Sequence, residues 1–267
     1  MNRDEHLQPQ AKKRFGQHFL HDSSVIERIV RAISPRPDDD LVEIGPGPGA
    51  LTAPLLRLTG SLDVVEIDRD VLPALEHATR GLDGLRVHIA DALNFDYAVF
   101  ARPGRRLRLA GNLPYNISTP LLFHLLDYGT QITDMHFMLQ KEVVDRIVAG
   151  PGSKDYGRLS VAVAARAEAW SLFRIGPGAF RPPPKVDSAV VRIRPRPPAF
   201  EILDQNLFDR VLLAAFGQRR KQLGNALSAL MPASMISAAG IDPRERAEQL
   251  GAEQFAALAN RLAREAQ

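Results

Sequence analysis

The chain has no cysteine among its 267 residues. That excludes disulfides, thiolate zinc sites, iron–sulfur chemistry and a cysteine nucleophile attacking a pyrimidine ring. No apolar run is long enough to span a bilayer, and the N-terminus, Met1-Asn2-Arg3-Asp4-Glu5, has no signal-peptide core. The expectation is a soluble, cytoplasmic protein with no membrane partner, and nothing requires more than a monomer. The seven histidines are scattered, and neither H-E-x-x-H nor G-x-S-x-G occurs, so no metal site is expected. Internal repeats and low-complexity tracts are also missing. What is present is 45% hydrophobic, enough for one large core and a small appendage.

The net charge is only +3, but it is unevenly spread. Between Arg174 and Lys221 ten basic residues face four acids, an excess of six. A second cluster, Lys12-Lys13-Arg14, precedes Phe15. A basic side on a balanced protein suits a polyanionic partner, and a merely solvated face is the plain alternative.

Apolar runs predict strands at 41–45, 62–67, 85–90, 107–111, 133–140, 167–175 and 188–194. Helical patterns separate most of them, which predicts an α/β, doubly wound, mainly parallel seven-stranded sheet. The last two strands lack a helix between them and fit an antiparallel pair at one edge. A helix is expected at about 22–33, capped by Asp22 or Ser23. Beyond Pro195–Pro198 only helices are expected, at about 204–216, 218–230 and 253–263. The expected organisation is a tail over 1–11, an α/β domain over 12–195 and a helical domain over 199–267.

Four strand ends carry chemistry. Leu41-Val42-Glu43-Ile44 runs into Gly45-Pro46-Gly47-Pro48-Gly49 and then a helix. Such a turn lets the backbone approach a ligand and offers free N–H groups. Its G-x-G-x-G spacing is not the dinucleotide fingerprint, and alone it is weak evidence. The second strand ends at Glu66, about 20 residues on, where an acid binds both hydroxyls of a ribose. The third delivers Asp91, which can accept from an adenine amino group or simply cap a turn. The fourth, Leu107 to Gly111, runs into Asn112-Leu113-Pro114-Tyr115. An amino group conjugated to a ring is a poor nucleophile. An Asn oxygen and a carbonyl beside a proline can accept its two hydrogens and free its lone pair, while Tyr115 offers a stacking face. The alternative is an ordinary Pro turn. Downstream, Phe180-Arg181-Pro182-Pro183-Pro184 is a stiff loop in which Phe180 is either a second stacking face or a structural residue.

Taken in order, these motifs resemble the KsgA-type small-subunit ribosomal RNA adenine dimethyltransferases. The likeness is carried by Lys13 to Leu20, Glu43 to Thr52, Val65 to Asp68, Gly111 to Tyr115, Phe180 to Val191 and Phe216 to Asn225. It implies a class I methyltransferase (Rossmann-like) domain with a small C-terminal all-α domain. It implies S-adenosyl-L-methionine as cofactor and 16S rRNA, within the small subunit or its precursor, as partner. The reaction implied is dimethylation of N6 of two adjacent adenosines in the 3′-terminal hairpin loop. Position by position, it implies that His18, Leu20, Gly45, Gly47, Glu66, Asp91 and Asn112 hold the cofactor. Asn112, Leu113, Pro114, Tyr115 and Phe180 would surround the target adenine, with Tyr115 and Phe180 sandwiching it. Lys12, Lys13, Arg14, Arg219, Arg220 and Lys221 are the expected RNA contacts. A large-subunit rRNA methyltransferase conferring antibiotic resistance is the nearest rival, and a non-catalytic assembly factor on the same fold is the rival of another class. A DNA adenine methyltransferase and a nicotinamide dehydrogenase fit less well.

Overall fold

The computed structural model describes residues 9, 11–12, 16–218 and 221–265. The elements of the first unit, in chain order, are β1 (Phe19–Leu20), α1 (Ser23–Ile33), β2 (Asp40–Ile44), α2 (Thr52–Thr59), β3 (Leu62–Glu66), α3 (Leu72–Ala78), β4 (Leu85–Ile89), β5 (Leu107–Asn112), α4 (Ser118–Leu126) and β6 (Ile132–Gln140). There follow α5 (Lys141–Val148), α6 (Arg158–Arg166), β7 (Ala167–Ile175), β8 (Phe180–Arg181) and β9 (Ser188–Pro195). The chain ends in α7 (Gln205–Gly217), α8 (Leu223–Ala226), α9 (Ala233–Ala238) and α10 (Ala252–Glu265).

The seven long strands form one sheet in the order β4-β3-β2-β5-β6-β9-β7. Neighbours from β4 to β6 are parallel, and β9 runs antiparallel to β6. This is a class I methyltransferase, Rossmann-like fold. The inner strands β2, β3, β5, β6 and β9 are buried on both faces and read as apolar runs in sequence, whereas the edge strands β4 and β7 are largely exposed. Direction reverses between β2 and β5: one half winds outward through β3 and β4, the other through β6. The crevice at such a switch point is where open α/β sheets bind ligands. Here β2 and β5 press together at Gly111, where an added Cβ would lie 2.3 Å from the Ile44 carbonyl oxygen. Only glycine allows that approach, and it sets Asn112 beside the glycine turn.

Helix α1 starts where Asp22 accepts from the Ser24 and Val25 amides, as a cap should. It buries Ile29, Val30 and Ile33 in a core shared with β2, β3 and α2. Its far end is held by Arg108 of β5. The guanidinium donates to Asp134 at 2.8 Å, to Asp39 at 2.6 Å and to the Ile33 carbonyl at 2.6 Å. Burial alone would raise the Asp134 pKa, but the hydrogen bond and charge of Arg108, with His136 and Arg192, together outweigh it and the net shift is downward.

Two compact units emerge: one of residues 1–144 and 170–195, the other of 145–169 and 196–267. The division at Pro195 falls where the proline-rich run stands. Residues 145–169, expected in the α/β domain, group with the helices instead. The reason is local bonding: Arg166 of α6 donates to Asp209 of α7 at 2.8 Å, and the Tyr156 hydroxyl donates to the Leu250 carbonyl at 2.7 Å. The expected helix over 218–230 is also corrected. Among the described residues there only α8 is helical, and Leu223 and Gly224 give their amides to the Glu245 and Pro243 carbonyls, each at 2.8 Å. Leu223 and Leu227 are buried as their spacing suggested, but Leu230 is only half-buried, and Pro232 bars continuation of the helix. Of the expected tail over 1–11, residues 1–8 and 10 lie outside the described residues.

Replacing Arg108 with Met should take one guanidinium from both Asp39 and Asp134, leaving Asp134 with Arg192 alone. Loss of one partner from a buried pair costs about 3–5 kcal/mol, measurable by urea unfolding at pH 7. Asp134 has a depressed folded pKa, so its contribution is present above the unfolded value of about 3.9 and is lost as pH falls through the folded one. The gap between wild type and Arg108→Met should therefore narrow below about pH 4.

Candidate active site

At the end of β2, Gly45 and Gly47 have φ of 68° and 52°, so the turn folds back in a way L side chains resist. An added Cβ on Gly47 would lie 3.3 Å from the Phe19 ring. The turn thus leaves room for a ligand only because both positions are glycine. Across from it, the Glu66 carboxylate is 6% exposed and accepts from the Gly47 amide at 3.2 Å and the Asp68 amide at 2.8 Å. Burial raises its pKa, and the two amides offset only part of that shift. Asp91, beyond β4, accepts from the Leu93 amide and from Asn94 Nδ2, each at 2.9 Å, so it both caps its own turn and faces the cavity.

Asn112 ends β5. Its Nδ2 donates to the His18 carbonyl at 2.9 Å, which commits the amide nitrogen and leaves Oδ1 as the acceptor. His18 belongs to a short N-terminal arm pinned at several points. β1 pairs antiparallel with β8, Leu20 opposite Phe180. His18 Nδ1 donates to the Pro182 carbonyl at 2.8 Å, and Gln17 donates to Asp68 at 2.9 Å. The His18 ring lies 5.5 Å from that of Tyr115, whose hydroxyl is 2.7 Å from the Ser188 hydroxyl.

These groups enclose a cavity of about 250 Å³. His18, Leu20, Gly45, Gly47, Glu66, Asp91, Asn112, Leu113, Pro114 and Tyr115 all line it. Phe180 does not. It is 2% exposed and packed in the core, because its strand is the partner that holds the arm. A sandwich of Phe180 with Tyr115 is absent from this arrangement. Lys12, expected at RNA, has its ammonium 2.6 Å from Asp68 and 2.5 Å from Asp70, and so helps fasten the arm. Lys221 is exposed, and Lys13, Arg14, Arg219 and Arg220 lie outside the described residues.

The residue that motif reading passed over as a ligand is Glu43. It sits inside β2, is 1% exposed, lines the cavity, and its Oε2 has no hydrogen-bond partner among the described residues. Burial, reinforced by the charge of Glu66, pushes its pKa up to about 8. The available signal was an acid in the middle of an apolar strand. An orphaned buried carboxyl and a glycine turn kept clear of side chains fit a cofactor with polar groups.

A carboxyl with a raised folded pKa contributes stability below its unfolded value, lost as pH rises through the folded one. Wild-type stability should therefore decline between about pH 4.3 and pH 8 through Glu43. Glu43→Gln should show a smaller drop in thermal midpoint between pH 5 and pH 8. Parallel midpoints for the two proteins would mean that Glu43 is already ionised.

Residues 8–264 match the family described as ribosomal RNA adenine dimethylase. The chain is 51% identical to a ribosomal RNA small subunit methyltransferase A of Pseudomonas putida, over 97% of this chain and 98% of that one. It is 55% identical to the protein of the same description from Xanthomonas axonopodis pv. citri, over 94% and 95%. Among solved structures, it is similar to a dimethyladenosine transferase from Plasmodium falciparum, with TM-score 0.79 and 24% identity over 93% of this chain and 98% of that one. The 23S rRNA methyltransferase ErmE is also similar, with TM-score 0.69 and 25% identity over 92% and 99%. The chain belongs to the ribosomal RNA adenine dimethylase family.

Proposed function

We propose that the protein transfers methyl groups from S-adenosyl-L-methionine to N6 of two adjacent adenosines in the 3′-terminal hairpin loop of 16S rRNA. The observation that carries this reading is identity of 51–55% to small-subunit methyltransferases over nearly the whole chain. It is supported by Asn112-Leu113-Pro114-Tyr115 at the sheet's switch point, facing one cavity with Glu66 and the glycine turn. The ErmE likeness, at 25% identity, supports the large-subunit rival far less.

When bound, the cofactor supplies an electrophilic methyl group on a sulfonium. Glu66 holds the ribose hydroxyls and Gly45 and Gly47 leave space for the amino-acid end. Asp91 faces the adenine, and His18 and Leu20 close the cavity from the arm. On the other side Asn112 Oδ1 and a backbone carbonyl of Leu113-Pro114 accept the two N6 hydrogens. The nitrogen is drawn towards tetrahedral geometry and its lone pair turned to the methyl group. The bound cofactor would give up its methyl group to that nitrogen and leave as a neutral thioether, so the residues here need only position the two partners. The proton departs after transfer, when the nitrogen has become acidic, so no strong base is needed and positioning dominates the rate. Tyr115, with its hydroxyl fixed on Ser188, presents its ring to the flipped base. The basic residues Lys13, Arg14 and Arg219 to Lys221 serve the RNA backbone, which positions the substrate without reading its bases.

Labelled S-adenosyl-L-methionine incubated with unmethylated small and large subunits tests the reading. N6,N6-dimethyladenosine should form in the small subunit only; label confined to the large subunit would favour the resistance-type activity. Glu66→Ala should weaken cofactor binding by roughly 10–150-fold in calorimetry while the fold survives. Unchanged affinity would remove Glu66 from the site. Tyr115→Ala should bind cofactor normally and lose about 1–3 kcal/mol in methyl transfer, seen in single turnovers.

A further inference from the structure

The chain has one tryptophan, Trp170. It lies on β7, the outermost strand of the sheet, and it is 41% exposed, as is Leu172 at 37%. A large aromatic left open on an edge strand invites association unless the edge is used or guarded. Two arginines of the neighbouring β9 lie over its ring and leave the rest of the indole open. The guanidinium carbons of Arg194 and Arg192 lie 5.4 Å and 6.0 Å from the indole centroid. Arg192 donates to Asp134 at 3.0 Å through one terminal nitrogen, and its Nε has no partner among the described residues. None of these residues lines the catalytic cavity. Arg192 and Arg194 belong to the stretch from Arg174 to Lys221 in which ten basic residues face four acids.

A flat apolar ring beside guanidinium groups is the chemistry that takes an unpaired base and its phosphates. An apolar protein partner would have to desolvate both guanidiniums. An acidic peptide would use the charge of the arginines but leave the indole open. The geometry points to a second RNA contact at this sheet edge: an unpaired base stacks on Trp170 while Arg192 and Arg194 hold the adjoining phosphates. The contact rests on the proposed function only for RNA as the partner. It adds affinity and register, not chemistry.

Trp170→Ala should weaken binding to unmethylated small subunits by about 5- to 150-fold, measured by co-sedimentation. Trp170→Phe, which keeps an aromatic face, should recover most of that loss. Cofactor affinity and the transfer rate at saturating subunits should stay at wild-type values in both. Arg194→Ala should flatten the salt dependence of subunit binding by about 0.7–0.9 log units. The lone tryptophan also reports directly, since protein-free small-subunit rRNA should quench its emission. The inference is overturned if Trp170→Ala binds subunits like wild type, or if emission is unchanged on rRNA that filter retention shows to be bound. It is equally overturned if Trp170→Ala loses cofactor binding while Trp170→Phe does not, since the indole then serves the fold. Failure of the wild type to methylate subunits would sink the proposed function instead, and leaves these binding outcomes to decide the surface separately.

Discussion

One hydrogen bond, from Asn112 Nδ2 to the His18 carbonyl, decides what the rest of the site can do. It joins the end of β5 to an arm that is far away in sequence. It also settles the role of the amide, because a nitrogen that donates to the arm leaves an oxygen that can only accept. An accepting oxygen at that place suits an amino group and not a hydroxylate or a carboxylate. The arm is held for the same purpose by β8, by Pro182 and by Asp68. Without it the cavity would be an open ledge on the strand ends.

The other side of the cavity depends on backbone proximity and buried charge. Gly111 lets β5 touch β2, so that Asn112 and the glycine turn share one crevice. Glu66 is kept in place by two amides, while Glu43 beside it has an orphaned oxygen and stays protonated near neutral pH. The two acids sit in different environments: burial raises both, but Glu66 is partly offset by the amides it accepts, whereas Glu43 is pushed up to about 8.

Much of this was legible in the sequence because the inner strands, buried on both faces, read as plain apolar runs, and the edge strand β4 keeps a short run of apolar and branched residues although it is largely exposed. Their C-terminal ends could then be aligned, and with them Glu66, Asp91 and Asn112. What stayed hidden depends on contacts distant along the chain. Nothing local marks residues 145–169 as companions of the C-terminal helices; Arg166 finds Asp209 only in three dimensions. Leucine spacing over 223–230 looks helical, yet α8 is a single turn that starts where the Leu223 and Gly224 amides reach the Glu245 and Pro243 carbonyls. Phe180 beside three prolines suited a stacking face, and the pairing of β8 with β1 buried it. Lys12 looked like part of a basic patch until Asp68 and Asp70 were brought to it by the fold.

The central claim is that Asn112, where cofactor and target base meet, positions the amino nitrogen. Its most direct test is the single-turnover rate of methyl transfer by Asn112→Ala at saturating cofactor and small subunits. Loss of one preorganised hydrogen-bonding group at a reacting atom commonly costs about 10²–10³ in rate. The account predicts a fall of that order even when both substrates are bound. A wild-type rate at saturation would contradict it and reduce Asn112 to a fastening for the arm.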